Sequence, residues 1–523
     1  MPAQETKRRG RGTLAAAVLA LLSLLSAANI EIVNVPLSKL IGRKIGFEDF
    51  VDEVQKGYLS DSFAYKNDFV DLNGLFARLT GRRTLNTVVK LNNGMLSKPL
   101  NEMDLTALGN GIVELSDYLK GQDIPFLYVQ LSYKEALDGQ SFPVGVSSRR
   151  NTSVDGLLSR LSAAGVDTLD LRPLLSRTPE MLERYFYKTD HHWNSDGAFV
   201  AYQEIMAFLH ETFPEGNIDL TYAQTEQWER HQLDDWFLGS WGKRVGTLFA
   251  GTDPLIWHTP KFETEMSCVI PTHGWFYRGD FAEANLREQY IEEKNYFGRS
   301  AYCVYIGGDY PLVQHRNLNA PSPLKVLMLK DSFTSPLQAY LSTVFQEIDV
   351  IDPRFFSECS VAEYVEWTKP DAVILALNPD QMENTSYRDF GVEEAVLLKV
   401  DENRCEAVLQ QDVELEAKDS SYNYAAYPLE ADTVYRVAFE GVDVPEGRTE
   451  GAALRLYDST TGTVLKSAIF DLAYCEAANS FCWTFRTPDT QDELQLLFYA
   501  GIFGATAGNR VIYREVTVEK LRG

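Results

Sequence analysis

Apolar and polar positions follow two distinct rhythms along this chain, and the change between them falls near residue 400. In the first part, short apolar runs with strand character alternate with stretches whose apolar residues recur at helical spacing. Pro125-Phe126-Leu127-Tyr128-Val129-Gln130-Leu131 and Val166-Asp167-Thr168-Leu169-Asp170-Leu171 read as strands. Leu105 to Lys120 and Ser153 to Ala164 read as amphipathic helices, and Phe47 to Ala77 as helices and turns. Asn194-Ser195-Asp196-Gly197 caps a helix that runs to about Phe208. After a gap, the pattern resumes with strand 325–329, helix 335–345, strand 347–351, helix 360–367 and strand 372–377. Such alternation predicts βαβ units and a parallel sheet. The gap itself, residues 211–320, is aromatic-rich and dense in turns. It reads as an insertion lying beside the sheet, either a lid that shapes the substrate site or a cover for a sheet edge.

Beyond Val400 the period becomes two. Thr433 to Phe439, Ala453 to Tyr457, Glu493 to Tyr499 and Arg510 to Val518 are alternating runs separated by Gly, Asp and Pro turns. They predict an all-β sandwich of jelly-roll type over residues 400–523. Sandwiches of this kind often bind carbohydrate through exposed aromatic residues. Tyr424, Tyr427, Trp483 and Tyr499 are the candidates here, set against the general tendency of sandwich aromatics to fill the core.

Composition narrows the functional classes. A chain of 523 residues has room for two or three domains. Its formal net charge of −25 argues against nucleic acid as a partner. The same field repels a polyanionic glycan at long range unless a local basic groove or metal ions offset it, and so mildly favours a neutral or weakly charged polymer. Only the N-terminus is basic: Lys7-Arg8-Arg9-Gly10-Arg11 precedes the uncharged stretch Gly12 to Ile30. Residues 1–31 therefore read as a signal peptide, cleaved after Ala28, or as a retained membrane anchor, with a buried helix as the third option. Either of the first two places the rest of the chain outside the cytoplasm. The six cysteines show no metal-ligand spacing, and no metal site is expected. Cys475 and Cys482 are close enough to bridge a loop, and equally compatible with buried thiols.

Two motifs carry candidate chemistry. In Tyr187-Lys188-Thr189-Asp190-His191-His192-Trp193, an Asp two residues before a His supplies an orienting carboxylate and a general base. The same residues also suit a packed His pair with Asp as a helix cap. In Lys330-Asp331-Ser332-Phe333, a Ser follows the apolar run Val326-Leu327-Met328-Leu329 and precedes a helix with Pro336 in its first turn. A Ser on that turn exposes its hydroxyl at the carboxyl edge of a sheet, beside free N–H groups. The competing reading makes Asp331 or Ser332 an ordinary cap. Together, Asp190, His192 and Ser332 hold the parts of a Ser-His-Asp triad. Ser332 N–H and Gly308, from the Gly307-Gly308 pair, are candidate oxyanion donors, although the Gly pair also suits a simple turn.

The Asp190-His191-His192-Trp193 turn resembles the signature of the DHHW proteins, relatives of the alginate O-acetylation proteins with SGNH-hydrolase-like domains. Val326 to Phe356 resembles that family's nucleophile block, including Ile351-Asp352-Pro353-Arg354-Phe355-Phe356. Gly239-Ser240-Trp241-Gly242-Lys243-Arg244, Tyr305 to Leu312 and Ser60 to Gly81 are also similar, so the likeness spans roughly residues 45–395. Phe333 stands where Tyr is common, and Pro353 precedes Arg354. The resemblance implies an α/β, SGNH-hydrolase-like parallel-sheet domain in circularly permuted order, since Asp-x-His precedes the Ser. It implies acyl transfer with Ser332 as nucleophile, His192 as base and Asp190 as orienter. The leading expectation is an extracytoplasmic polysaccharide O-acetyltransferase. No coenzyme-A phosphate cradle is visible and no cofactor is expected, so the acetyl donor is a membrane partner protein or another acylated carrier. A carbohydrate acetyl-esterase with the same triad, and a non-catalytic glycan-binding or assembly protein, are the alternatives.

Overall fold

The parallel strands form where β-branched and aliphatic residues run without interruption, because a sheet covered on both faces has no polar side. Ala372–Leu377 is buried at all six positions and Phe126–Gln130 at all five. The computed structural model describes residues 39, 41, 64–138, 141–273, 275–397, 405–416, 423–443, 452–470, 481–500 and 510–521. These fall into two compact units, one of residues 87–242 with 252–521 and one of residues 64–86 with 243–251.

An eight-stranded sheet organises the larger unit. Its strands are β1 (Phe126–Gln130), β2 (Asp167–Asp170), β3 (Met266–Ile270), β4 (Trp275–Gly279), β5 (Leu312–Asn317), β6 (Ser322–Leu329), β7 (Phe345–Ile351) and β8 (Ala372–Leu377). Their spatial order is β2-β1-β8-β6-β7-β5-β3-β4. Neighbours from β2 to β7 are parallel, and those from β7 to β4 antiparallel. The helices include α1 (Thr106–Lys120), α2 (Arg150–Ala163), α3 (Ser195–Thr212), α4 (Ser335–Leu341) and α5 (Val361–Thr368). The Asn194 side chain accepts from Gly197 N–H at 3.0 Å, which starts α3 where the sequence places its cap.

Two expectations change. Residues 211–320 are not an irregular segment lying beside the sheet: β3, β4 and β5 extend it by three antiparallel strands, and Trp228–Phe237 pairs with Asp253–Pro260 in a separate ribbon. Strands that alternate weakly or carry polar residues inward, as Leu312–Asn317 does with Gln314, His315 and Arg316 all buried, escape a reading based on periodicity. The helix expected over 335–345 ends at Leu341, because Phe345 already pairs beside Ser322 in β7. Leu341, Val344 and Phe345 suit either period, and the sheet takes the last of them.

Residues 405–521 form two antiparallel sheets. One runs Cys405–Glu416, Arg510–Leu521, Val434–Phe439, Phe481–Arg486, with Gly441–Asp443 also on Arg510–Leu521; the other runs Asn423–Leu429, Leu494–Ala500, Ala452–Asp458, Thr463–Phe470. Tyr435, Val437 and Phe439 point inward at every second position and share a core with Leu454, Leu456, Leu496 and Phe498. This is a β-sandwich. It meets the α/β part at α5, where Ser467 N–H donates to Glu358 O at 2.9 Å and Lys466 pairs with Glu363.

In the smaller unit, helix Lys66–Leu79 packs on Thr247–Ala250, and Asp71 accepts from the Thr247 hydroxyl at 3.0 Å. Among the described residues no helix is long and apolar enough to cross a membrane. Residues 1–31, Ser60 to Phe63 and Cys475, on which the export, family-likeness and bridging expectations partly rest, lie outside the described residues.

Candidate active site

Ser332 owes its position to the end of β6. Lys330 N–H still donates to Ile351 O at 2.9 Å, and then Asp331 turns the chain. One Asp331 carboxylate oxygen accepts from Phe333 N–H at 2.9 Å and the other from Asn378 N–H at 2.6 Å, tying the turn to the end of β8. Burial pushes the Asp331 carboxyl up to about 6. A single 3₁₀ turn, Ser332–Thr334, leads into α4. Phe333 N–H is taken by Asp331, and Thr334 N–H reaches Asp331 O at 3.3 Å. Ser332 N–H makes no hydrogen bond among the described residues.

The loop Tyr187–Trp193 is fastened from three sides. Beneath it lies Lys134, fully buried, whose ammonium donates to the carbonyls of Tyr187 at 2.8 Å and Lys188 at 3.3 Å, and to that of Asp190. Burial lowers its pKa to about 7 against the pull of Asp253 and Asp190. On a second side the Asp253 carboxylate accepts from Thr189 N–H at 2.7 Å and from its hydroxyl at 2.6 Å. The third clamp is Gly239–Gly242. Gly239 N–H donates to the Thr189 hydroxyl at 2.8 Å, Gly242 N–H to Thr189 O at 2.8 Å, and Ser240 N–H to the Asp190 carboxylate at 2.6 Å. A Cβ on Gly239 would fall on the Cα and Cβ of Asp190, so only glycine permits this approach.

The structure brings Asp190, His192 and Ser332 together. His192 Nε2 lies 2.8 Å from Ser332 Oγ, and His192 Nδ1 lies 2.6 Å from Asp190 Oδ1. The same oxygen accepts from His192 N–H at 3.0 Å. Burial pushes the Asp190 carboxyl up, but the His191 and His192 rings, the His192 hydrogen bond and Ser240 N–H outweigh it and hold it well below the usual carboxylate range. The His192 ring stacks on Tyr302, with centroids 3.7 Å apart and planes 5° from parallel. Tyr302 OH and Trp193 Nε1 both donate to Phe333 O, at 2.6 and 2.7 Å, which locks the base loop to the nucleophile turn. His191 faces elsewhere: its Nδ1 lies 2.7 Å from Ser240 Oγ. Burial, with the neighbouring His192, lowers its pKa to about 4.

The other candidates separate. Gly308 follows Ile306 and Gly307 in a left-handed reversal, and precedes Asp309. Asp309 is bound by Lys330 Nζ at 2.6 Å and by Arg354 at 3.2 Å, so the Gly308 loop is anchored two residues from Ser332. Burial pushes the Asp309 carboxyl up, but these two cations prevail and hold it at about 2. Of the aromatic residues in the sandwich, Tyr424 is exposed and Tyr427 half-buried, with its ring edge-on to Phe498. Trp483 and Tyr499 are 1% and 7% exposed and present no open face to a sugar. Trp483 alternates inward on its strand and packs 4.4 Å from the Phe485 ring. Cys482 is a free, exposed thiol.

Asp190, His191 and His192 also offer ligand atoms within 4.8 Å of one another. Both Asp190 oxygens already accept hydrogen bonds, and His192 Nε2 faces a hydroxyl, so the set is arranged for proton transfer rather than for a cation. What the arrangement can do is deprotonate Ser332, store the proton as an imidazolium beside a buried carboxylate, and return it. Lys134, Asp253, Tyr302 and Asn378 have no signature in the sequence, since each meets the site from a distant segment. Ser240 lies in a segment whose Gly-Ser-Trp-Gly composition was the one available signal.

Residues 91–236, which include Asp190 and His192, match the family described as ALGX, the SGNH hydrolase-like domain of the acetyltransferase AlgX. Among solved structures the chain is similar to PatB1 of Bacillus cereus, at 22% identity over 58% of this chain and 99% of that one, with a TM-score of 0.49. A DHHW family protein from Eubacterium siraeum is 16% identical over 60% of this chain and 96% of its own, with a TM-score of 0.45. AlgX of Pseudomonas aeruginosa is 14% identical over 82% and 94%, with a TM-score of 0.35. No curated protein matches the chain in sequence.

Proposed function

We propose that the chain is an O-acetyltransferase that moves an acetyl group onto a polysaccharide hydroxyl through Ser332, outside the cytoplasm. The observation that carries this reading is the hydrogen-bonded line Asp190–His192–Ser332, at 2.6 and 2.8 Å. The match of residues 91–236 to an acetyltransferase domain supports the reaction class. Ser332 Oγ attacks the carbonyl carbon of an acetyl ester while His192 Nε2 takes its proton. The tetrahedral oxyanion is met by the Ser332 N–H, with a further donor from the Gly308 loop. As the carbon–oxygen bond to the donor breaks, the imidazolium returns the proton to the departing alcohol and leaves acetyl-Ser332. A sugar hydroxyl then gives its proton to His192 and attacks, and Ser332 departs with that proton. Asp190 holds the imidazole tautomer and stabilises its cation throughout.

The basic cluster Lys7–Arg11 and the apolar stretch after it support export, and hence a donor supplied from the membrane. The test is a chromogenic acetyl ester offered with and without oligosaccharides, on the wild type and on Ser332→Ala. The reading expects a burst of acyl-enzyme, a single acetyl or sulfonyl adduct on the Ser332 peptide, and acetylated sugar. Acetate alone, unaffected by any acceptor, would replace the transferase with an esterase. Undiminished turnover in Ser332→Ala would remove the triad.

A further inference from the structure

The three antiparallel strands that residues 211–320 add to the sheet lengthen the edge on which Ser332 stands. Leu329, at the end of β6, is in register with Ile351 of β7, and Ile351 with Leu312 at the start of β5. Gln314 of β5 faces Val269 near the end of β3, and Ile270 faces Trp275, the first residue of β4. The loops before β5, after β3 and into β4 therefore share the edge that carries Ser332. On them sit three aromatic rings. Tyr310, buried, lies 5.0 Å from His273 and 5.7 Å from Trp275 in T-shaped contacts, and His273 lies 4.8 Å from Trp275. His273 is exposed, and Trp275 is 43% exposed although it begins a strand of the largest sheet. Asp309, the residue before Tyr310, is held by Lys330, so this aromatic group and the Ser332 turn are mechanically joined.

A tryptophan face open to solvent and held edge-on by a buried tyrosine is pre-organised to stack on an apolar ligand face. Its size tells what binds. One tryptophan and one imidazole fall far short of the roughly 800 Å² per partner of a stable protein interface. They match the C–H face of one or two pyranose rings. The Trp275 indole carries no charge and the chain as a whole carries −25, which favours a neutral sugar over a polyanion.

We propose that His273 and Trp275 form a remote acceptor subsite, stacking a neutral glycan whose chain runs along the sheet edge to Ser332. The inference rests on the polysaccharide reading above and names where the polymer is held. Four strand spacings separate β6 from β4, about 19 Å at about 4.8 Å each and so the reach of about four pyranose units. Binding energy gained there offsets the cost of orienting the reacting hydroxyl.

The experiment uses the full chain with Trp275→Ala and Trp275→Phe. Acetyl transfer from 4-nitrophenyl acetate is followed to cello- and chito-oligosaccharides of one to six units, and retention is measured in gels holding hydroxyethylcellulose, glycol chitin or alginate. Trp275→Ala should lose tenfold or more in kcat/KM for acceptors of four units and longer, with Trp275→Phe between it and the wild type. Single sugars and ester hydrolysis should stay within twofold. Retention on a neutral gel should persist in Ser332→Ala and vanish in Trp275→Ala. Unchanged transfer to long acceptors with unchanged retention overturns the subsite, as does an equal loss for all acceptor lengths, retention on alginate alone, or a dimer that disappears in Trp275→Ala. Absence of acetyl transfer in the wild type, with Trp275-dependent retention intact, overturns the acyl-transfer reading and upholds the subsite.

Discussion

Replacing Asp190 by Asn removes one charge and half an acceptor from a place where three donors converge. Asp190 Oδ1 accepts from His192 N–H and from Nδ1, and Oδ2 from Ser240 N–H. An amide has one oxygen. If that oxygen faces His192, the amide nitrogen opposes Ser240 N–H, a donor against a donor in a site 1% exposed. If the amide is turned, the nitrogen opposes His192 N–H and forces the imidazole into the tautomer with hydrogen on Nε2, which cannot take the Ser332 proton. Either way a buried bond goes unmade, at about 1–3 kcal/mol of stability. The loss in rate is larger, because the imidazolium also loses its carboxylate: about 10⁴-fold, or about 5.5 kcal/mol in the barrier. The assay is the rate of Ser332 acylation by an activated acetyl ester in rapid-mix experiments, with urea unfolding run alongside to separate rate from folding. Acylation in Asp190→Asn within tenfold of the wild type would refute the role of Asp190 as orienter, and would mean that His192 is held well enough by Tyr302 and its own backbone.

Other perturbations reach the same loop from outside. Gly239→Ala drives a methyl group into the Asp190 backbone, so it should slow acylation at least a hundredfold and cost about 1–3 kcal/mol in urea unfolding, as overpacking does; acylation within threefold of the wild type would show that the clamp yields. Lys134→Met withdraws the donor shared by the carbonyls of Tyr187, Lys188 and Asp190, and acylation should fall by tenfold or more. Lys134 also has a pH signature, facing the Asp190 and Asp253 carboxylates and the Trp241 ring. Its pKa is lowered to about 7 in the folded state, so between about pH 7 and 10.5 the unfolded chain binds the extra proton and folding stability rises with pH. Urea unfolding from pH 6 to 9.5 should show that rise in the wild type relative to Lys134→Met, and parallel curves would contradict it.

What the sequence determined by itself is whatever depends on neighbours along the chain. The strand at Ala372–Leu377, the helix at Thr106–Lys120 and the Asn194 cap are each set by a few consecutive residues, and each stands within a residue or so of where the pattern puts it. The Asp-x-His spacing and the strand–Ser–helix turn are local in the same sense, so Asp190, His192 and Ser332 could be named before their separation of 140 residues between His192 and Ser332 was closed. The choice of His192 over His191 rests on which imidazole Ser240 holds away, and that contact is not local. Nor are the fastenings of the loop: Lys134, Asp253 and Gly239 come from segments 50 to 65 residues distant and meet it only because the sheet and its loops bring them there. Alternation told that the C-terminal strands are half-buried, but not which aromatic residues face in, and so Trp483 and Tyr499 fell to the core. The antiparallel extension was hidden for a related reason. Its strands bury Gln314, His315, Arg316 and Asn317; Arg316 finds Asp349 and Asn317 finds the Ser342 carbonyl only in the folded chain, and no pattern of hydrophobicity along the chain records that.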